Sequence, residues 1–342
     1  MNNITQEEGL EAVAAASAPA PDKAGAAGAL AKRLTSRYAV VGVWIAMIAV
    51  FSAAEPGKFF TGSVFQAIFD SQENLVFLTM ALLCTIIVGE FVDLSVPSVF
   101  GFAATILPVL AVNHGWNVWE ASLVAVLGAV LVGALNGYLV VYVGVNTIVV
   151  TLGMSTLLLG ISLWMSNMNT ISGLPNSFSN IALTQIGGLP ISFYYGVVIV
   201  AGFAYVLGCT PLGRHMRFVG ANREVSRLSG IRVNRVRFGS FVAAGAFSGV
   251  GAVVYVAEIG SFNATTSASL LLPVFASVFL GTAIVEPGRF NPIGTFIGIY
   301  FLATGSLGLQ LLNLENWVSD VFYGGVLVIA VTISTLLGKR AS

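Results

Sequence analysis

Residues 117–141, NVWEASLVAVLGAVLVGALNGYLVV, are almost entirely apolar and carry a single charge, at Glu120. A helix needs about 20 mainly apolar residues to cross the hydrocarbon core of a bilayer. This stretch is long enough to do so as one helix, and other segments of the chain have the same character. The sequence therefore predicts an integral membrane protein built from apolar helices.

The overall composition supports the same interpretation. Of 342 residues, 56% are hydrophobic and only 9% are charged, with a formal net charge of zero, whereas soluble domains carry about 25% charged residues. Soluble enzymes, disordered proteins, collagen-like fibres and secreted disulfide scaffolds are therefore poor interpretations. Cys84 and Cys209 lie in or beside apolar runs, and His114 and His215 have no ligand-spaced neighbours. We expect no disulfide framework, metal, cofactor or nucleic-acid partner.

The apolar segments predict an all-α, polytopic transmembrane helix bundle of about ten spans. Residues 56–69 between the first two spans are interpreted as a short interfacial or re-entrant piece. The predicted spans are 39–54, 72–90, 96–112, 117–141, 147–166, 191–208, 238–258, 270–285, 291–313 and 317–337.

The distribution of basic residues predicts which way the bundle faces. Ten spans put both termini on one side, and cytoplasmic segments are expected to hold the lysines and arginines. In this arrangement, 14 of the 15 basic residues lie on the side of the termini, and Lys58 is the exception. Seven of the 14 are arginines in the loop 209–237. We therefore predict cytoplasmic termini, a disordered cytoplasmic tail at 1–37 that is rich in Ala, Pro and Gly, and a transmembrane domain at 38–338.

The acidic residues are also distributed unevenly. No Lys, Arg, Asp or Glu lies at the middle of a predicted span, where a charge often marks ion coupling or a proton relay. Transport driven by protons, or by ions bound to membrane carboxylates, is therefore not favoured. The energy for transport would then come from a source other than charged residues within the membrane, or the protein would be a passive pore. The outer side collects Glu55, Asp70, Glu73, Glu120, Glu258, Glu315 and Asp320.

Three predicted spans contain two glycines four residues apart, a spacing that allows close helix packing in membranes. These pairs are Gly133 with Gly137, Gly245 with Gly249, and Gly294 with Gly298.

Residues 209–237, CTPLGRHMRFVGANREVSRLSGIRVNRVR, form the one long polar loop within the membrane domain. A two-turn helix is predicted at 223–229, because Asn222 suits an N-cap, Glu224 the first turn and Gly230 the position after the last turn. Such a short helix needs support from the bundle or a partner. It is interpreted as a docking element for a cytosolic protein, or alternatively as an amphipathic helix on anionic lipid headgroups.

Several motifs of this chain, in their order along the sequence, resemble those of the permease subunit of bacterial ABC sugar importers of the ribose/xylose type. That family is related to branched-chain amino-acid permeases. The similarity covers about residues 40–337. The departures from the family pattern are Pro97, Glu90-Phe-Val-Asp93, Asn146-Thr147 and Glu286-Pro287. The motifs that carry the resemblance are Asp93-Leu-Ser-Val96, Gly133-Ala-Leu-Asn-Gly137, Val150-Thr-Leu-Gly153, Thr210-Pro-Leu-Gly-Arg214 and the coupling-helix loop Gly220–Ile231, GANREVSRLSGI.

The resemblance implies a subunit of the bacterial inner membrane that moves a small polar solute, a monosaccharide or polyol, by alternating access. It implies a second permease subunit, in a homodimer, and a periplasmic solute-binding protein. Separate cytosolic ATP-binding subunits would dock on the coupling helices, and the chain itself has no G-x-x-x-x-G-K-[ST] phosphate loop. The alternatives are a stand-alone secondary transporter or channel and an ABC permease for amino acids. No substrate-binding residue is assigned, and the expected ATPase contacts are Asn222, Glu224, Leu228, Ser229 and Gly230.

Overall fold

The computed structural model describes residues 40–70 and 72–339, so the predicted tail at 1–37 lies outside the described residues. The described chain is a helical bundle with four two-residue strands. Its helices are α1 (Val40–Ala54), α2 (Gly62–Asp70), α3 (Glu73–Ile87), α4 (Val96–Pro108), α5 (Val118–Tyr138), α6 (Thr147–Met165), α7 (Asn176–Leu183), α8 (Ile191–Cys209), α9 (Pro211–Ala221), α10 (Arg223–Leu228), α11 (Val233–Ile259), α12 (Thr266–Ser269), α13 (Leu271–Gly281), α14 (Pro292–Leu311) and α15 (Asn316–Lys339).

Within the described ranges, seven helical segments are long and apolar enough to cross a membrane. Three shorter apolar helices, Val40–Ala54, Thr266–Gly281 and Trp317–Thr332, fall on the other three predicted spans. The predicted interfacial piece at 56–69 falls largely on α2. Two of the long segments end in π-helical turns, Val109–Asn113 after α4 and Leu139–Val143 after α5. The long segments are Gly62–Ile87, Val96–Asn113, Val118–Val143, Thr147–Met165, Ile191–Cys209, Val233–Ile259 and Pro292–Leu311.

Helix α3 forms the centre of the bundle. All fifteen of its residues are buried, because it packs against α8, α11, α13 and α14. Apart from Thr79 and Thr85, its sequence, ENLVFLTMALLCTII, is apolar after the first two positions, as expected for a helix surrounded by other helices. Helices α6 and α8 lie at the periphery, since less than a third of each is buried within the chain.

The predicted glycine pairs lie at helix crossings. A Cβ atom added to Gly245 of α11 would lie 2.5 Å from the carbonyl oxygen of Ala129 on α5, and one on Gly137 would lie 3.0 Å from Cβ of Phe241. A Cβ atom on Gly298 of α14 would similarly lie 2.9 Å from the carbonyl oxygen of Ser277 on α13. The predicted packing role of these glycines is confirmed.

Loops predicted on opposite sides of the membrane lie at opposite ends of the bundle. At one end, Phe91 and Phe290, from two turns predicted to be cytoplasmic, have ring centroids 6.3 Å apart. At the other end, strand β1 (Ile171–Ser172) pairs antiparallel with β4 (Ser261–Phe262). The second small sheet, β2 (Gln185–Ile186) with β3 (Leu189–Pro190), precedes α8. The end that contains Phe91 is called the loop end below, and the end that contains β1 and β4 is called the strand end.

Candidate coupling site

The predicted helix in the long polar loop is α10, Arg223–Leu228, one residue shorter than the prediction of 223–229. Asn222 is its N-cap, and the Asn222 side chain accepts a hydrogen bond from the backbone N–H of Val225 at 3.1 Å. Gly230 has a φ of +81°, the left-handed conformation that glycine adopts easily after the last turn of a helix. Local capping residues therefore determine where α10 begins and ends.

The five residues expected to contact an ATPase lie together on α10 and at its ends, and all five are exposed. Leu228 is 85% exposed and Val225 is 56% exposed, so two aliphatic side chains three residues apart are uncovered on α10. Glu224 and Arg227 form an exposed ion pair at 2.8 Å. The arrangement offers a small apolar tip with charged flanks, while Ser226 on the opposite side is buried.

The end of α9 packs against the end of α3 by direct backbone contact, and the first residue of α10 is tied to the same place by a side chain. Gly220, in the last turn of α9, lies so close to the carbonyl oxygen of Ile87 that a Cβ atom there would overlap it. Gly89, just past the end of α3, has a φ of +86° and lies beside Gly220. The guanidinium group of Arg223 donates a hydrogen bond to the carbonyl oxygen of Gly89 at 3.0 Å.

The sequence pattern does not single out Glu90 except as a departure from the family-like motifs. Its side chain is 4% exposed and accepts hydrogen bonds from Arg223 Nη2 at 2.8 Å and Arg237 Nε at 2.6 Å. Its second oxygen accepts a hydrogen bond from Thr147 Oγ1 at 2.5 Å. One signal in the sequence could have indicated this site. The loop 209–237 has seven arginines, and Glu90 is one of the few carboxylates predicted on the same side of the membrane.

The other family-like motifs meet beside Glu90. Asp93 accepts hydrogen bonds from the backbone N–H and the hydroxyl group of Ser95, at 3.1 and 2.6 Å. The backbone N–H of Leu94 donates to Thr151 Oγ1 at 3.2 Å. Burial raises the pKa of Asp93, the Ser95 hydrogen bonds oppose that rise, and the nearby charge of Glu90 adds to it. Asn136 Nδ2 also donates to Ser95 Oγ at 2.9 Å, so the motifs around residues 93, 136, 151 and 223 lie in one polar cluster at the loop end.

The strand end contains two acidic residues with poorly satisfied carboxylates. Glu73, the first residue of α3, is buried and Glu258, near the end of α11, is half-buried, and each has one buried carboxylate oxygen with no hydrogen-bond partner. The sequence pattern places Glu73 among the acids of the outer side, yet only 4% of it is exposed. It is buried because α3 is surrounded by other helices even at its first turn. Among the described residues, no group of three or more His, Cys, Asp or Glu could hold a metal ion.

Comparison with known proteins gives a consistent result. A family model described as "Branched-chain amino acid transport system / permease component" matches residues 72–331. The autoinducer 2 import system permease protein LsrD of Klebsiella pneumoniae is 29% identical over 306 residues, which are 87% of this chain and 91% of that protein. The proteins of the same name from Escherichia coli K12 and Shigella flexneri are each 32% identical over 255 residues, which are 73% of this chain and 77% of theirs.

Proposed function

Because the chain belongs to the family of permease components of branched-chain amino acid transport systems, we propose that it is the membrane subunit of an ABC importer in a bacterial inner membrane. Such a subunit is a transport component and not an enzyme, since ATP is hydrolysed by separate subunits. The observation that carries the proposal is the exposed helix α10, whose first residue, Arg223, is bonded to Gly89 and Glu90 just after the central helix of the bundle. A stand-alone transporter or channel has no need of such a docking helix.

The proposed topology has ten spans and both termini in the cytoplasm, with a cytoplasmic tail at 1–37 and a permease domain at 38–338. The grouping of predicted inner loops at the loop end supports it. Eight arginines of the described chain, Arg289 and the seven of the 209–237 loop, belong to that end, as the positive-inside rule requires. Under this proposal α1, α13 and α15 also cross the membrane, although their apolar stretches are only 10–17 residues long.

We propose that cytosolic ATP-binding subunits contact Asn222, Glu224, Leu228, Ser229 and Gly230. Closure of the ATP-binding subunits would press on α10 and drive alternating access of the bundle. The exposed side chain of Leu228 suits a hydrophobic pocket on such a partner, since buried apolar anchors supply much of the binding free energy at interfaces.

The test is to replace Leu228 by Glu together with Glu224 by Arg and to measure co-purification of the ATP-binding subunits. We expect co-purification to fall by about tenfold or more, because a hydrophobic anchor is lost and a charge is reversed. The matched control is Leu314→Glu, which introduces the same carboxylate at an exposed position at the strand end. Unchanged co-purification in the double variant would contradict the proposed contact.

The proposed solute is small and polar, a monosaccharide or polyol, delivered by a periplasmic binding protein. The sequence resemblance to ribose/xylose-type permeases supports this class. Autoinducer 2, named for the relatives, and branched-chain amino acids, named for the family, are the competing candidates. Thermal-shift measurements of the binding protein with pentoses, hexoses, polyols, autoinducer 2 and amino acids would decide, and stabilisation by amino acids alone would contradict the sugar proposal.

We also propose that two copies of the chain form the translocation path, surrounded by lipid. The pairing is proposed at the outward face of α6, where a Cβ atom added to Gly153 or to Gly160 would have no neighbouring group within 4 Å, which leaves room for a close helix. An apolar cavity of about 500 Å³, lined by Trp44, Phe60 and Phe65, suits a lipid chain better than a polar solute. Cysteine cross-linking with Thr156→Cys in membranes would test the pairing, with Val198→Cys on α8 as the control.

A further inference from the structure

The carboxylate of Glu90 joins four separate elements of the chain. Glu90 follows α3, Arg223 is the first residue of α10, Arg237 lies in the second turn of α11, and Thr147 is the first residue of α6. Each of the other three elements reaches Glu90 through a hydrogen bond of 2.8 Å or less. No other carboxylate among the described residues has two arginine partners.

Burial makes this junction more costly to break than an ion pair at the surface, because loss of one partner leaves a buried charge unpaired. Glu90 is 4% exposed and Arg237 is 13% exposed, so water screens their attraction poorly. Arg223 is 42% exposed and therefore contributes less charge stabilisation, but its guanidinium group also binds the Gly89 carbonyl and so fixes the geometry. A carboxylate is required at this point because a neutral amide cannot offset two guanidinium charges.

The junction connects the surface proposed for the ATP-binding subunits to helices that cross the bundle. Exposed residues of α10 lie on one side of it, and the first turn of α6 and the second turn of α11 lie on the other. Removal of the Glu90 charge would leave α10 folded, since Asn222 and Gly230 cap that helix locally. It would loosen the connection between α10 and the transmembrane helices.

We propose that Glu90 is the positioning residue that transmits movement of α10 to α6 and α11. This inference rests on the proposed function, because it assumes that a partner moves α10. It adds to that function the residue through which movement of α10 would reach the transmembrane helices. Glu90 is also a position where the chain departs from the family-like pattern.

The test is hydrogen exchange of the permease with its ATP-binding subunits in lipid nanodiscs, before and after addition of ATP and vanadate. In the unmodified complex we expect the exchange to change in α10 and at residues 147–151. In Glu90→Gln we expect the change in α10 to persist and the change at 147–151 to fall by about fivefold or more. A purely structural role would reduce both changes together.

The matched control is Glu286→Gln, which removes a carboxylate at the same end whose nearest arginine nitrogen, on Arg217, is 4.0 Å away. It should respond as the unmodified complex does. Glu90→Asp keeps the charge and should retain part of the response. If Glu90→Gln does not fold, Arg223→Gln serves instead, because Glu90 then keeps Arg237 and Thr147.

The outcomes separate the two proposals. No exchange change in α10 of the unmodified complex would contradict the proposed function itself. A change in α10 with none at 147–151 would overturn the role of Glu90, as would a normal response at 147–151 in Glu90→Gln or Arg223→Gln.

Discussion

Asn136 donates a hydrogen bond from its Nδ2 atom to the Oγ atom of Ser95 at 2.9 Å, across 41 positions of the chain. Ser95 in turn donates its hydroxyl hydrogen to Asp93. This buried chain connects the last turn of α5 to the turn between α3 and α4. It brings together two of the motifs that carry the family resemblance, and it gives their polar residues a structural purpose independent of any solute.

The first prediction concerns this hydrogen bond. Asn136→Ala removes a donor to Ser95 and leaves a small void in a site where Asn136 is 1% exposed. The melting temperature of the purified chain in detergent should fall by about 2–6 °C, which corresponds to the loss of one buried hydrogen bond. Asn180→Ala on the exposed face of α7 should leave the melting temperature unchanged, and equal effects of the two variants would contradict the prediction.

The second prediction concerns the crossing of α5 and α11. Gly245→Val would force side-chain atoms into the Ala129 carbonyl oxygen, because a Cβ atom alone would lie 2.5 Å from it. The overlap should destabilise the fold by about 3 kcal/mol or more and abolish the monodisperse peak in size-exclusion chromatography. Gly202→Ala on α8, where no atom lies within 4 Å of the added Cβ, is the control and should elute normally.

The third prediction is a pH dependence. Burial raises the pKa of Asp93 in the folded chain above its unfolded value of about 3.9. Its contribution to stability is therefore complete below the unfolded pKa and is lost as the pH rises through the folded pKa. Asn at this position does not titrate. We therefore compare the melting temperatures of the unmodified chain and of Asp93→Asn at each pH. The value for the unmodified chain minus the value for the variant should decrease between about pH 4 and about pH 8. A constant or rising difference would contradict a raised pKa of Asp93.

The fourth prediction tests the proposed orientation in the membrane. In a background with Cys84→Ala and Cys209→Ser, a single cysteine introduced by Lys58→Cys should react with a membrane-impermeant maleimide in cells whose outer membrane has been made permeable. A single cysteine introduced by Arg289→Cys should react only after the inner membrane is also opened. Both positions are exposed, so accessibility depends on the side of the membrane, and the reverse labelling pattern would invert the topology.

Much of the helical architecture follows from local sequence. Each predicted span falls on an apolar helix because the need to bury apolar side chains and pair backbone groups acts within about 20 residues. The ends of α10 follow from Asn222 and Gly230 for the same reason, since capping involves neighbours only. The predicted tail at 1–37, outside the described residues, and the number of spans that cross the membrane remain predictions.

The polar junctions could not be predicted in this way. Glu90 binds Arg223 and Arg237 across 133 and 147 positions, and no periodicity or local motif encodes such a pairing. Glu73 resembles an exposed acid in the sequence because it begins a helix at the outer side, but its burial depends on how α11 and α14 pack around α3. Distances between remote elements decide these features, whereas the sequence pattern reports only near neighbours.

The contact between Gly220 and the Ile87 carbonyl group has a mechanical consequence. Because only backbone atoms meet there, no flexible side chain can compress and absorb a displacement of the loop. Ile87 ends a helix that is buried along its whole length. A displacement of the loop would therefore be passed to the innermost helix, α3, with little loss of amplitude. Any larger movement of the transmembrane helices would have to arise farther inside the bundle.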